Sequence, residues 1–231
     1  MNGYRAVFEK QKNLIVVIHI ESEEQALRNA RIAKNAGASG IFLINHRSSA
    51  DSLLRIYGYV KMYCGNLWIG LNCLDLSPKE AVMQTPKDIA GLWIDDGGIK
   101  EDSDDPAGEA RELAELRARH GTRGLYFGGV AFKYQGECRD PARAARLAMP
   151  YMDVVTTSGE KTGSPPAIEK VRLMKRAIGD HPLAIASGIT AQNVREYIEY
   201  ADYFLVATGV SDSDTELNAG KVEELARIIS A

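Results

Sequence analysis

The sequence predicts an α/β protein folded as one (β/α)8 barrel domain over residues 1–231. Short apolar runs rich in β-branched residues alternate with helical patterns along the whole chain. These runs are apolar on both faces, as the buried strands of a parallel sheet are. The length of 231 residues also suits a single barrel, since such barrels span roughly 250 residues.

Eight strands are expected, each followed by a loop or helix. The predicted strands are Leu14–Ile20, Gly40–Asn45, Leu67–Cys73, Gly91–Asp95, Leu125–Lys133, Asp153–Thr157, Leu183–Ala186 and Tyr203–Ala207. The main alternative is an open doubly wound sheet, because it shows the same alternation of strands and helices.

Capping residues begin most of the predicted helices. Ser22 with Gln25 and Ser77 with Glu80 form capping-box patterns, and two aspartates precede proline in the way that helix starts favour. The predicted helices begin at Ser22, at Ser48 or Ser49, at Ser77, at Asp105 and at Asp140, and the last three are Ala167–Ile178, Ala191–Tyr200 and Lys221–Ile229.

Composition excludes several classes of function. The net charge of −3, from 28 basic and 31 acidic residues, gives no electrostatic basis for binding nucleic acid. The first apolar run is too short to span a membrane, and the three cysteines lack zinc-site spacing. We therefore expect a cytoplasmic protein with reduced thiols, no nucleic-acid partner and no membrane insertion.

The last three strands end in small residues that suit a phosphate. An apolar strand that ends in Ser, Thr or Gly exposes free backbone N–H groups, which bind phosphate together with the positive end of a following helix. The predicted phosphate-binding residues are Ser187, Gly188, Thr208 and Gly209, with Thr162 and Gly163 closing a loop over the ligand. The alternatives are small residues that only allow close packing, and a plain Gly/Pro turn.

Polar residues end the other strands, and in a barrel only strand ends reach the active face. The predicted catalytic residues are Lys133, Asp95, His19 and His46, and the other predicted mouth residues are Glu21, Asn45, Asn72 and Asp96. Neighbouring residues on a strand point in opposite directions, so only one of the two aspartates can face the mouth.

These residue types leave several roles open. A desolvated Lys133 could act as a base, form an imine with a carbonyl substrate, or pair with an acidic group. Each histidine could be an acid–base group or a hydrogen-bonded structural residue. We expect no organic cofactor; Glu21 with Asp95 or Asp96 would supply oxygen ligands if a divalent metal were bound.

The last third of the chain resembles the BtpA/SgcQ family. The resemblance lies in the block DVVTTSGEKTGSPP…ASGITAQNVREYIEYADYFLVATG, with Thr162–Pro166 as its most specific element, and Lys133 also looks similar. It implies a TIM barrel of the phosphate-binding type. The Ser-Gly-Ile-Thr and Ala-Thr-Gly elements are shared more widely with barrels that bind ribulose phosphates or similar ligands.

The predicted function is isomerase or lyase chemistry on a sugar phosphate or related small phosphorylated molecule. One alternative is a non-enzymatic assembly factor with a vestigial phosphate pocket, because the family's name comes from a role in photosystem I biogenesis. Another is transfer of a phosphoribosyl-type group, for which Asp95 and Asp96 would lie near the ribose. Association into a homo-oligomer is compatible with each of them.

Overall fold

The structure, a computed structural model, describes residues 7–8 and 10–231. Eight parallel strands follow chain order around a closed barrel, which β1 and β8 complete. The strands are β1 Asn13–His19, β2 Gly40–Ile44, β3 Ile69–Asn72, β4 Gly91–Ile94, β5 Leu125–Gly129, β6 Val154–Thr157, β7 Leu183–Ile185 and β8 Tyr203–Val206. The closed barrel confirms the predicted fold class. Residues 1–6 and 9 of the predicted domain lie outside the described residues.

Helices surround the barrel. In the described part of the chain they are α1 Glu23–Asn35, α2 Ala50–Cys64, α3 Pro78–Gln84, α4 Gly108–His120, α5 Pro141–Ala148, α6 Ile168–Ile178 and α7 Ala219–Ile229. Ser49, Ser77 and Asp140 accept capping hydrogen bonds from the first turns of α2, α3 and α5. Among the residues that the structure describes, every helix is too short or too polar to cross a membrane.

One predicted helix start and one predicted capping box need correction, although Ser22 does cap α1 as predicted. Helix α4 begins at Gly108 rather than at Asp105, whose carboxylate instead lies 2.6 Å from the guanidinium of Arg111. The capping box at Ser22 forms only in part, because the side chain of Gln25 accepts from the N–H of Glu21 and not from that of Ser22.

The predicted helix Ala191–Tyr200 is wrong, since this segment holds only a 3₁₀ turn at Val194–Glu196. The side chain of Asn193 accepts from the Thr190 N–H at 2.9 Å and donates to the Gly188 carbonyl at 2.8 Å. Asparagine thereby closes a local turn that competes with the helical hydrogen-bond pattern.

Strand β5 is shorter than predicted and ends at Gly129, not at Lys133. Ala131 and Tyr134 have φ angles of +48° and +67°, a conformation that L-residues other than glycine adopt at a cost in energy. The chain therefore turns away from the barrel before Lys133, which lies in the β5–α5 loop.

Aromatic rings fill the interior of the barrel. The Phe42 ring lies 5.2 Å from Trp68, 5.5 Å from Trp93 and 5.2 Å from Phe127, measured between centroids. Gly70 makes room for it, because a Cβ at that position would lie 2.2 Å from Phe42 Cε1. This packing fills the centre of the barrel, and barrels of this type carry their ligand sites at the carboxyl ends of the strands.

The alternation of side chains along each strand decides which polar residues reach the mouth. Ile15 and Val17 of β1 belong to the interior cluster, and His19 is the next residue of the same row. In the same way Trp93 of β4 lies in the interior cluster, and Asp95 follows it on the same face.

Candidate active site

A cavity of about 60 Å³ lies at the carboxyl ends of the strands. It brings together residues from the ends of β1, β7 and β8 and from the loops after β5 and β6. The predicted site residues in its lining are His19, Lys133, Thr162, Gly163, Ser187, Gly188 and Thr208. The predicted phosphate end and part of the predicted reacting end therefore share one space.

Free backbone donors lie at the ends of β7 and β8. Within the described residues, the N–H groups of Gly188, Ile189, Thr208 and Gly209 donate to no protein acceptor. Thr208–Val210 forms a 3₁₀ turn, whose first N–H groups have no partner inside the turn. Free N–H groups at neighbouring strand ends can donate to the oxygens of a phosphate.

The same two strand ends require glycine for packing. Gly188 has a φ of +64°, and a Cβ there would lie 2.1 Å from the backbone nitrogen of Pro165. A Cβ on Gly209 would lie 2.0 Å from the carbonyl oxygen of Ile189. These glycines thus allow close packing as well as exposing their N–H groups.

The hydroxyl of Ser187 is engaged within the protein. It donates to the carbonyl of Ser164 at 2.7 Å and accepts from the N–H of Gly159 at 2.9 Å. Ser187 is only 9% exposed. The side chain therefore ties the β6–α6 loop to the end of β7, and the backbone at this strand end is the free donor.

The loop that carries Thr162 and Gly163 covers the cavity. The Thr162 hydroxyl lies 3.5 Å from the Lys133 ammonium and 3.5 Å from the Tyr134 hydroxyl. Thr162 and Gly163 are exposed on the other side, and Gly163 has a φ of +80°. Long contacts of this kind hold the tip of the loop weakly.

Asp95 faces the mouth, and Asp96 does not. Asn72 Nδ2 donates to Asp95 Oδ1 at 2.9 Å. Burial raises the pKa of Asp95, while this hydrogen bond and the charge of Lys133 oppose the rise. The exposed carboxylate of Asp96 instead accepts from the Gly98 N–H and from the Gln135 amide.

His19 and His46 form a stacked pair with ring centroids 5.3 Å apart. His46 is exposed, whereas His19 lines the cavity. Burial lowers the pKa of His19, and the charges of His46 and Lys133 lower it further against the opposing effect of Asp214. Neutral imidazole is therefore the favoured form of His19 at neutral pH.

Lys133 lies half-buried in the loop after β5. Its backbone N–H donates to Ser158 Oγ at 2.8 Å, which fixes the loop against the end of β6. Gln135 fixes the same loop to the ends of β4 and β5, since its amide nitrogen donates to the carbonyls of Asp95 and Gly129, each at 3.1 Å. Sequence reasoning missed Gln135, because no motif distinguishes a loop glutamine that makes several backbone contacts.

Several predicted site residues do not line this cavity, namely Glu21, Asn45, Asn72, Asp96, Asp95, His46 and Gly209. Asn45 is buried, donates to Asp75 and accepts from the Leu74 N–H at 2.7 Å, so it ties β2 to the β3–α3 loop. Glu21 is exposed at the start of the first crossover. In the part of the chain that the structure describes, no group of three or more His, Cys, Asp and Glu side chains is placed to hold a metal ion.

A second lysine near the site escaped the sequence analysis. Lys170 lies on α6, and its ammonium donates to the carbonyls of Ala131 and Ser158, the latter at 2.8 Å. Burial lowers its pKa, against the opposing effects of Cys138 and Glu160. In sequence Lys170 resembles any surface lysine of an amphipathic helix, so only the tertiary fold reveals it.

Sequence comparison finds relatives that resemble the C-terminal part of the chain. Residues 137–231 match the BtpA family model. An uncharacterized protein of Pyrococcus abyssi is 33% identical over 142 residues, which are 61% of this chain and 52% of that protein. One from Methanocaldococcus jannaschii is 27% identical over 144 residues, 62% of this chain and 52% of that protein. The chain thus spans about half the length of these curated relatives.

Solved structures share the barrel. The α subunit of tryptophan synthase from Legionella pneumophila has a TM-score of 0.69 at 14% identity, covering 99% of this chain and 98% of that one. The (S)-3-O-geranylgeranylglyceryl phosphate synthase of Thermoplasma acidophilum, in complex with sn-glycerol-1-phosphate, has a TM-score of 0.68 at 16% identity, covering 99% and 97%.

A third structure, the phosphoribosyl anthranilate isomerase of Thermus thermophilus, has a TM-score of 0.62 at 15% identity, covering 93% of this chain and 96% of that one. At such low identities these likenesses establish the fold alone. The resemblance to the BtpA family is therefore confirmed over residues 137–231, in a chain that folds as a closed (β/α)8 barrel.

Proposed function

We propose that this protein is an enzyme that binds a small phosphorylated metabolite and catalyses isomerisation or carbon–carbon cleavage by acid–base chemistry. One observation carries the proposal. Free backbone N–H groups at the ends of β7 and β8 adjoin the cavity that His19 and Lys133 line. An anion site beside titratable groups in one concave space is the usual arrangement of such a catalytic site.

The phosphate is the anchor in this scheme. Its oxygens accept from the N–H groups of Gly188, Ile189, Thr208 and Gly209, in the position after strands 7 and 8 where barrels commonly bind phosphate. The cavity of about 60 Å³ is small, so the Thr162–Gly163 loop moves outward to admit a ligand and then covers it. Binding energy from the phosphate holds the carbonyl end of the ligand in place.

Asp95 is the proposed general base. Its raised pKa makes the carboxylate a stronger base than an exposed aspartate, which suits removal of a proton from the carbon beside a carbonyl. The charge of Lys133 acts on both Asp95 and His19. In the proposed reaction Lys133 engages the carbonyl oxygen, which becomes negative as the proton leaves, and neutral His19 passes a proton to or from it.

The named structural neighbours agree with this ligand class. One is an isomerase named for phosphoribosyl anthranilate, and another was solved with sn-glycerol-1-phosphate. They share only the fold with this chain, so they support the class of ligand and not the identity of the reaction.

Solvent deuterium exchange tests the proposal. The protein is incubated in D₂O with dihydroxyacetone phosphate and with ribulose 5-phosphate, and proton NMR follows loss of the signal beside the carbonyl. We expect catalysed exchange with at least one of them, reduced by roughly 100-fold or more in Asp95→Asn, as for loss of a general base. Asp96→Asn is the matched control, because its carboxylate faces away, and it should retain the rate.

Exchange at the same rate in Asp95→Asn and in the unsubstituted protein would contradict the assignment of the base. No catalysed exchange with either compound, although inorganic phosphate binds at β7 and β8, would contradict the proposed acid–base reaction on ketose phosphates.

A further inference from the structure

A second and larger cavity adjoins the mouth. It has a volume of about 690 Å³ and lies between the β5–α5 loop, the β6–α6 loop and the start of α6. Ligand sites typically measure about 300–1,000 Å³, so this space is large enough for a small organic molecule. Lys133 lines both cavities, whereas the predicted phosphate-binding residues do not line this one.

Apolar residues form part of the wall of this cavity, beside its polar and charged side chains. They include Phe132, Pro141, Pro165, Pro166 and Ala167. Rigid apolar walls of this kind favour the organic body of a ligand over a bare inorganic ion, because the gain comes from removing apolar surface from water.

Lys170 provides one polar anchor. An ammonium carries three donors, and two of those on Lys170 are used by the carbonyls of Ala131 and Ser158. Neither Lys170 nor Lys133 forms an ion pair with a carboxylate among the described residues. The Lys170 ammonium therefore has one donor left, and its half-buried charge would be stabilised by an acceptor that carries a negative charge.

The charges around the cavity favour a monoanion. Two ammonium groups, Lys133 and Lys170, line it together with two exposed carboxylates, Glu137 and Glu160. Because these formal charges cancel, the site has no excess positive charge to offset a phosphate dianion. The single carboxylate of a ligand could be bound by the local contact with Lys170 alone. The two glutamates are exposed, so their charges are screened by water.

We propose that this cavity binds a small organic monocarboxylate, whose oxygen accepts from the Lys170 ammonium and whose apolar body packs against Pro165 and Phe132. The site is distinct from the phosphate site at β7 and β8, and it does not depend on the proposed reaction. Burial lowers the pKa of Lys170 and the charge of Glu160 opposes this only in part, so a bound carboxylate would further stabilise the charged form of the amine.

Benzoate is the probe, and benzamide is its neutral counterpart of the same shape. Both are titrated into the full chain and followed by backbone amide NMR. We expect saturable shifts for benzoate in residues 131–138 and 158–167, and binding at least about tenfold weaker for benzamide, as expected when a charge-assisted hydrogen bond is lost.

Two substitutions on α6 separate the anchor from overall charge. Lys170→Gln should weaken benzoate binding at least about tenfold. Arg176→Gln removes the same charge from an exposed position about two turns further along the helix and should leave the affinity unchanged. Equal affinities in all three proteins would overturn the assignment of Lys170.

A third variant covers the case in which Lys170→Gln disturbs the loops. Ala167→Trp fills the cavity from an exposed position and keeps the ammonium, so it should abolish benzoate binding while the thermal midpoint stays unchanged. Benzoate binding that survives in Ala167→Trp, or benzoate shifts centred on Gly188 and Thr208, would overturn the proposal. Inorganic phosphate, titrated in parallel, reports separately on the site at β7 and β8.

Discussion

Asp95 and Asp96 are neighbours in the sequence and have opposite environments. The sequence establishes that only one of them can face the mouth, and the alternation that runs through Trp93 selects Asp95. Which residues of β4 face the interior could be inferred from the sequence, because Trp93 is the large apolar residue of the strand. The hydrogen bond from Asn72 could not, since it depends on the register between β3 and β4.

The buried carboxylate of Asp95 should cost stability at neutral pH. Its folded-state pKa is raised, so its contribution to stability is fully present below the ordinary pKa of aspartate and is lost as the pH rises through the folded value. We expect Asp95→Asn to have a higher thermal midpoint than the unsubstituted protein at pH 7. The difference should shrink as the pH falls from 7 through the raised pKa of Asp95, because the protonated carboxyl is neutral like the asparagine amide.

Thermal unfolding across this pH range is the measurement, and Asp96→Asn is the control because its carboxylate is exposed. A lower midpoint for Asp95→Asn at pH 7 would mean that the hydrogen bond from Asn72 and the charge of Lys133 outweigh the burial. Asp95 would then be a stabilising ion-pair residue and a poor base.

At the scale of elements, the chemistry of capping predicts most helix starts, and local side-chain bonds explain the failures. Ser77 with Pro78 carries its own start signal, and the structure contains the full capping box. The segment 191–200 has a helical pattern of apolar residues, but the side chain of Asn193 closes a turn first. The pattern of apolar residues alone does not show whether the helix or the side-chain-closed turn is more stable.

Two glycines with free space around them should respond to alanine in opposite directions. Gly58 lies in the middle of α2, where a Cβ meets nothing within 4 Å. Gly58→Ala should raise the free energy of unfolding by about 0.5–1 kcal/mol, because glycine is a poor helix residue.

Gly121 also has open space, but its φ is +82° in the turn that ends α4. Gly121→Ala should lower the free energy of unfolding by about 1 kcal/mol, because alanine is strained in that conformation. Urea denaturation measures both changes. A shift of the same sign in both variants would contradict this account of the backbone.

At the scale of the whole molecule, the closed barrel explains why the site is where it is. The aromatic interior around Phe42 blocks the centre, and the chain order of the strands brings β7 and β8 next to β1. The alternation of strands and helices predicts this architecture, because buried parallel strands read as continuous apolar runs. The second cavity could not be predicted, since it depends on the unusual backbone of Ala131 and Tyr134.

The hydrogen bonds of side-chain hydroxyls were harder to predict than the positions of free backbone N–H groups. Ser187 lies where the sequence expects a phosphate contact, yet its hydroxyl serves the β6–α6 loop. The prediction of a phosphate site rests on strand ends and glycines, which determine where free N–H groups lie. The central claim therefore concerns the backbone at the ends of β7 and β8.

Binding of inorganic phosphate, mapped by backbone amide NMR, tests that claim most directly. We expect the largest shifts at Gly188, Ile189, Thr208 and Gly209, and we expect them to be lost in Thr208→Asp, which adds a negative charge at an exposed position. Thr122→Asp, at the opposite end of the barrel, should leave the shifts unchanged. Phosphate shifts that fall elsewhere, or that survive in Thr208→Asp, would contradict the account.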